Sequence, residues 1–242
     1  MELGDSGSGT PKPGFAGRRE PGHDSYWLFR RNRFLELLPP PGSLTVDVGC
    51  GEGRLSRHLK ELGHTVLAVD RSPTMVRRAR EVDPELDVRE ADAAALPLED
   101  GAADLVVSFM SLMNTDDLVG AVREAARVLG PSGRYCAAIV HPLNTAGAFT
   151  SHQDGAPFVI EGSYFERTQK EVPVERDGLR MTFLDAHRPL EDYFQALEAA
   201  GLVVERLREI PDTSDSEGAP RWRRVPLFLH IRALAAGVSS SG

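Results

Sequence analysis

Leu44-Thr45-Val46-Asp47-Val48-Gly49-Cys50-Gly51-Glu52-Gly53 decides the fold. An apolar, β-branched run breaks into three glycines at alternate positions, and Leu55, Leu59 and Leu62 then recur at helical spacing until Gly63 stops the pattern. Strand, glycine turn and amphipathic helix make one βα unit. Working outward, Val66–Asp70 reads as a second strand. Ser72-Pro73 supplies an N-cap and a first-turn proline to a helix that turns Met75, Val76 and Ala79 inward. Strands over 86–90, 104–109 and 135–140 follow, with a helix over 117–129 carrying Leu118, Val122, Ala125 and Leu129 on one stripe before the turn Gly130-Pro131-Ser132-Gly133. Strands alternating with helices predict a parallel sheet covered on both faces.

After Val140 the rhythm breaks for about 50 residues, a length that in compact domains is more often functional than a plain connection. Antiparallel strands are expected within it over 158–165 and 179–184. The pattern resumes with a helix over 190–200, a strand over 202–210 and a strand over 225–234. No helix separates the last two, so they are expected to pair as an antiparallel hairpin at one sheet edge. The fold expected is α/β: a doubly wound, seven-stranded Rossmann-like sheet, mostly parallel, with an antiparallel C-terminal hairpin and an insertion between strand 5 and the following helix. Residues 1–22, rich in Gly and Pro, are expected to be disordered, 23–236 to form a single domain with a lid inserted over about 141–187, and 237–242 to be a flexible tail.

The 242 residues hold 28 Lys and Arg against 36 Asp and Glu, a net charge of −8, which argues against a surface that grips a phosphate backbone. Cys50 and Cys136 are the only cysteines, too few for a disulfide framework or a four-cysteine zinc site. No His, Asp or Glu cluster has ligand spacing on one element, so no metal is expected. Without an apolar run of about 18 residues or a signal-peptide core, the expectation is a cytoplasmic protein with no membrane partner. Oligomeric state is not legible.

Open parallel sheets bind ligands beyond the C-terminal ends of their strands. At the first such end, Gly49, Cys50 and Gly51 let a ligand lie against bare backbone and a helix N-terminus. Twenty-one residues after Gly49, at the second strand's end, Asp70 offers a carboxylate to both hydroxyls of a ribose. Together they indicate an adenosine-containing cofactor. A nicotinamide fingerprint wants Gly or Ala at position 54, where this chain has Arg54, and the third glycine falls at 53.

From about residue 44 to 140 the chain resembles the class I S-adenosylmethionine-dependent methyltransferases, in their small-molecule branch. The resemblance rests on Val46 to Gly53 with the acidic Asp47; on Val69-Asp70 followed by Ser72-Pro73-Thr74-Met75; and on Ala91-Asp92-Ala93 followed by Leu96-Pro97. It rests also on Asp104-Leu105-Val106-Val107-Ser108 and on Val128-Leu129-Gly130-Pro131-Ser132-Gly133. It implies S-adenosyl-L-methionine as cofactor. Gly49, Cys50 and Gly51 would border the methionine moiety and Asp70 would hold the ribose, with Asp47 and Arg71 beside them. Met75 would cover one adenine face, Asp92 would accept from the adenine amino group, and Ala93 would offer its backbone nitrogen. Ser108, Phe109 and Met113 would line the sulfonium side, while Tyr26 and Arg31 would close over the methionine carboxylate.

The function this implies is transfer of a methyl group to a nucleophilic O, N or C atom of a small molecule. A histidine near its ordinary pKa of about 6.5 is a natural proton acceptor for such a reaction. His141, just past strand 5 and followed by Pro142, is the first candidate for base or substrate contact; His187 and Tyr164 come next. Phe149, Phe158, Tyr164, Phe165, Met181 and Phe183 in the insertion suggest a partly apolar acceptor. Arg221, Arg223 and Arg224 around Trp222 read as a charged hairpin loop, His64 as a solvated turn residue and His230 as a satisfied sheet histidine. RNA methylation is the alternative, disfavoured because Ser108-Phe109-Met110-Ser111 lacks the amide-and-proline signature of base-amino methylation. A non-methylating use of a cofactor-binding fold is the other.

Overall fold

The structure, a computed structural model, describes residues 31–176, 179–213 and 219–235. In chain order the elements are α1 (Arg31–Leu35), β1 (Thr45–Val48), α2 (Arg54–Glu61), β2 (Val66–Asp70), α3 (Pro73–Val82), β3 (Asp87–Glu90) and β4 (Ala103–Phe109). A 3-10 turn (Leu112–Asn114) leads to α4 (Leu118–Val128) and β5 (Leu129–Val140). Then come α5 (Pro142–Ala146), β6 (Ala148–Phe149), β7 (Phe158–Val159), β8 (Thr168–Arg176) and β9 (Leu179–His187). The described chain closes with α6 (Leu190–Ala199), β10 (Leu202–Ile210), α7 (Ala219–Trp222) and β11 (Phe228–Ala235).

Seven strands form one sheet in the order β10-β11-β5-β4-β1-β2-β3. Every residue of β1 is buried, as a central strand covered on both faces requires. One apolar layer joins Val46, Val106, Tyr135 and Ile139 to Val122, Ala125, Tyr193 and Leu197 of α4 and α6. The opposite layer joins Ala68, Leu105 and Val107 to Phe34, Leu55, Leu59, Val76 and Ala79 of α1, α2 and α3. The helix starts follow the sequence signals: Ser72 Oγ accepts from Met75 N and Asp117 Oδ1 accepts from Gly120 N.

The last two strands pair as expected, with β10 at the sheet edge and β11 between it and β5, antiparallel to both, although the short helix α7, unexpected from the sequence, stands between them in the chain. The insertion departs from expectation. Only Phe158–Val159 of the strand expected over 158–165 is extended, pairing with Ala148–Phe149. Gly162 then turns left-handed at φ 89°, and Phe165 N and Glu166 N bond back to Ser163. The partner of β9 is β8, whose Lys170, Glu171 and Pro173 hide any apolar alternation in the sequence. His64 is a second correction: it is buried, and its Nδ1 lies 2.9 Å from Thr45 Oγ1, so it ties the start of β2 to β1. Tyr26, the side chain of Arg31, and the segments 1–22 and 237–242 lie outside the described residues.

Candidate active site

The strand order reverses between β1 and β4, with β2 and β3 on one side and β5 on the other, so the exits of β1, β2 and β4 meet at the crevice where such sheets hold ligands. Gly49 N and Cys50 N both donate to Val69 O, at 2.7 and 3.0 Å, which folds the glycine turn against β2. Gly49, Gly51 and Gly53 have φ of 73°, 57° and 75°, the region closed to most side chains. Each glycine has a different neighbour. A Cβ at 49 would overlap the side chain of Ser111, whose hydroxyl donates to Val48 O at 2.7 Å and staples the β4 exit onto the turn. A Cβ at 53 would lie 2.8 Å from Leu86 Cδ2, so this third glycine lets α2 close on its neighbours. A Cβ at 51 would meet nothing within 4 Å: this stretch of backbone faces open space.

Asp70 stands beside that space. Its Oδ2 accepts from Gly51 N and its Oδ1 from Ser72 N, both at 2.8 Å, so two backbone amides fix the carboxylate while each oxygen keeps further acceptor capacity. A ligand with paired hydroxyls fits this arrangement, and an adenosine-type cofactor is such a ligand. Arg71 and Asp116 form an exposed ion pair of 2.6 Å from the β2 exit to the loop after β4. Met75 is half-buried in the first turn of α3. Asp92 is exposed with Oδ1 accepting from Ala94 N at 2.8 Å, and Ala93 is half-buried beside it.

At the β4 exit the side chains diverge as strand alternation demands. Ser108 is buried and its hydroxyl is bonded to Tyr135 in the α4 and α6 layer, so it does not line an open face. Phe109 points to the other layer, half-buried and edge-on to Phe34 with centroids 4.9 Å apart. Met110 follows at φ 58°, an uncommon conformation for such a side chain. Met113 is half-buried, and its carbonyl accepts from Arg188 Nη1 at 2.9 Å while Thr115 O accepts from Nη2 at 2.6 Å. Sequence reasoning missed Arg188 and Ser111, since neither belongs to a recurring pattern.

Asp47 is the site's buried carboxyl. Ser56 Oγ donates to its Oδ2 at 2.6 Å, yet burial pushes the carboxyl up to about 7, with the charge of Asp70 adding to the rise. The unfolded carboxyl titrates near 3.8, so its protonated native form stabilises the fold fully below pH 4, and that contribution is lost as pH rises to about 7. The linkage is worth on the order of 4 kcal/mol. Asp47→Asn does not titrate there, so the stability of wild type relative to this variant should fall by up to that amount between pH 4 and pH 8. Urea unfolding at a series of pH values checks it; a difference that stays level would contradict the assignment.

The three candidate catalytic side chains sit around α5, and most of their polar atoms bond to the protein. His141 is the N-cap of α5: its Nδ1 accepts from Leu143 N at 3.0 Å, and its Nε2 lies 3.1 Å from Glu209 Oε1. Burial holds its pKa below the ordinary histidine value against the opposing pull of Glu209. His187 is buried, with Nδ1 2.6 Å from Thr145 Oγ1 and Nε2 donating to Tyr164 O at 2.7 Å. The Tyr164 hydroxyl accepts from Leu190 N at 2.9 Å, capping α6. Among the described residues no group of three or more His, Cys, Asp and Glu could hold a metal ion, and no helix is long and apolar enough to cross a membrane.

Residues 46–137 match a family model described as a methyltransferase domain. A probable S-adenosylmethionine-dependent methyltransferase of Mycobacterium tuberculosis is 37% identical over 112 residues, covering 46% of this chain and 41% of the relative. A 2-methyl-6-phytyl-1,4-hydroquinone methyltransferase of Synechocystis is 29% identical over 180 residues, covering 70% of this chain and 49% of the relative. The chain thus spans about half or less of the length of these curated relatives. Among solved structures, an S-adenosylmethionine-dependent methyltransferase from Mesorhizobium loti superposes with a TM-score of 0.68 at 25% identity, covering 88% of this chain and 99% of that one. Its motifs, its strand order and these likenesses make the chain similar to the class I S-adenosylmethionine-dependent methyltransferases, with residues 46–137 matching the methyltransferase domain.

Proposed function

We propose that the protein moves the methyl group of S-adenosyl-L-methionine to a nucleophilic oxygen, nitrogen or carbon atom of a small, partly apolar molecule. The observation that carries this is the fixed Asp70 carboxylate beside the open backbone of Gly51. In this reading Gly49, Cys50 and Gly51 border the methionine moiety, Asp70 accepts from the ribose hydroxyls, and Met75, Asp92 and Ala93 surround the adenine. Arg71 closes the ribose side through Asp116, and Phe109 and Met113 flank the β4 exit. Tyr26 and Arg31 serve the methionine carboxylate. When bound, the cofactor supplies a methyl group on a sulfonium, an activated electrophile, so the protein's share is positioning and exclusion of water.

The hydrogen bonds of His141, His187 and Tyr164 support an anchoring role. They fasten segment 141–187 over the β4 and β5 exits as a lid, and in doing so engage both ring nitrogens of His187 and Nδ1 of His141 within the protein. The net charge of −8 and the sequence at 108–111 support a small-molecule acceptor rather than nucleic acid, and the sparse cysteines support a cytoplasmic location. Mass spectrometry of S-adenosylhomocysteine formed with a panel of phenols, amines and carboxylates tests the activity. Turnover is expected with at least one class; Tyr164→Ala should raise KM for that acceptor several-fold and leave S-adenosylhomocysteine affinity unchanged. Cofactor binding without turnover of any acceptor would favour a binding module.

A further inference from the structure

Three large aromatic side chains outside the motif region meet beside the exits of β4 and β5. Phe149 of β6 lies edge-on to Phe158 of β7, with centroids 5.1 Å apart, and edge-on to Trp222 of α7 at 4.9 Å; Phe158 and Trp222 are 6.5 Å apart. The interplanar angles of 77°, 87° and 69° put each ring nearly perpendicular to the others, so the group presents both ring faces and ring edges. None of the three is fully buried, although rings in mutual contact within a core would be.

The surroundings are built to hold this group in place. An added Cβ at Gly147 would lie 2.6 Å from Phe158 Cε1, so the glycine makes room for that ring. Arg221 donates to His152 O at 2.8 Å and Arg224 to Ala156 O at 2.7 Å, tying the loop between β6 and β7 to the segment that carries Trp222. Two of the arginines expected in a charged hairpin loop therefore bracket the lid to the segment that carries Trp222. Trp222 packs on the same apolar layer as Cys50 of the glycine turn, Phe109 and Met110 after β4, and Val140 at the end of β5. Asp212 N donates to Trp222 O at 3.1 Å and Phe228 pairs with Val140, so the aromatic group stands at the end of the sheet where β5 exits, the end that also carries the glycine turn and Asp70.

Resting on the methyltransferase reading, we propose that Phe149, Phe158 and Trp222 are the acceptor platform and that the acceptor is a planar aromatic ring. A flat ring extends the edge-to-face arrangement at centroid spacings of about 4.5–7 Å, whereas a saturated ring of the same size gains only buried area. The Arg224 guanidinium, 5.7 Å from the Phe149 centroid, already occupies that ring as a cation and repels an ammonium-bearing acceptor.

Calorimetry on protein saturated with S-adenosylhomocysteine tests this, with 1-naphthol as probe and decahydro-1-naphthol as its saturated counterpart. Trp222→Ala and Phe149→Ala should each weaken 1-naphthol at least tenfold, Trp222→Phe less than threefold, and all should bind S-adenosylhomocysteine within twofold of wild type. The saturated alcohol should bind wild type at least tenfold more weakly than 1-naphthol. Equal affinity of Trp222→Ala and wild type for 1-naphthol, equal affinity of the two alcohols, or no 1-naphthol binding to the loaded wild type overturns the platform. Failure of wild type to bind S-adenosylhomocysteine would instead overturn the methyltransferase reading beneath it.

Discussion

Asp70→Ala should weaken S-adenosylhomocysteine binding by a hundredfold or more. The carboxylate is presented by two backbone amides, Gly51 N and Ser72 N, and its remaining acceptor sites face the space beside Gly51. Two hydrogen bonds from ribose hydroxyls to an ionised group are worth about 1.5–3 kcal/mol each, which together spans two to four decades in affinity. The alanine variant loses both and also releases the amide that shapes the turn. Asp70→Asn keeps the side-chain shape but loses the charge and one acceptor, so its loss should be nearer tenfold. Calorimetric titration ranks the three proteins; equal affinities would remove Asp70 from the site.

The glycine turn should separate stability from binding. Gly49→Ala combines a left-handed φ of 73° with a collision against Ser111. The backbone penalty is roughly 1–2 kcal/mol and overpacking adds about 1–3, so unfolding free energy should drop by about 2–5 kcal/mol. Adding Ser111→Gly removes the collision but also the Ser111–Val48 hydrogen bond, so it should restore only part of that loss and leave the backbone penalty. Gly51→Ala, at φ 57° with no atom within 4 Å of the new carbon, should cost only about 1–2 kcal/mol of stability and yet impair cofactor binding strongly. Urea midpoints and titrations on the same samples decide the matter. If Gly51→Ala bound as well as wild type, the open space there would not be the cofactor's.

Much of the fold was legible because hydrophobic period and turn chemistry agreed: β1 reads as a buried run, Ser72-Pro73 as a helix start, and the last two strands as a hairpin. Arg54, which told against a dinucleotide site, proves to pair with Glu52 at 3.0 Å on the outer side of the turn, while Gly53 takes the close packing against Leu86. The insertion was less legible. The residues of β8, Thr-Gln-Lys-Glu-Val-Pro-Val-Glu-Arg, carry no apolar alternation over their first half, so only the pairing with β9 identifies them as a strand.

The candidate site divides the same way. Asp70 and the glycines follow from local spacing, and the structure brings them together. Strand alternation alone separates Ser108 from Phe109, a signal present in the sequence but outweighed by their adjacency at the β4 exit. His141 and His187 sit where the sequence places them, but hydrogen-bond partners distant in sequence decide what their nitrogens do: Glu209 beside one, Thr145 and Tyr164 beside the other. Trp222 belongs to the same class, since its partners Phe149 and Phe158 come from a segment more than 60 residues earlier.

Thermal unfolding with S-adenosylmethionine, S-adenosylhomocysteine and NAD, on wild type and Asp70→Ala, tests the central claim most directly. A ligand at 100 times its dissociation constant stabilises by about 2.7 kcal/mol, a shift of roughly 5–11 °C for a chain of this size. The account predicts such a shift in wild type with the first two ligands, none with NAD, and its loss in Asp70→Ala. A shift with NAD alone, or an equal shift in wild type and variant, would contradict it.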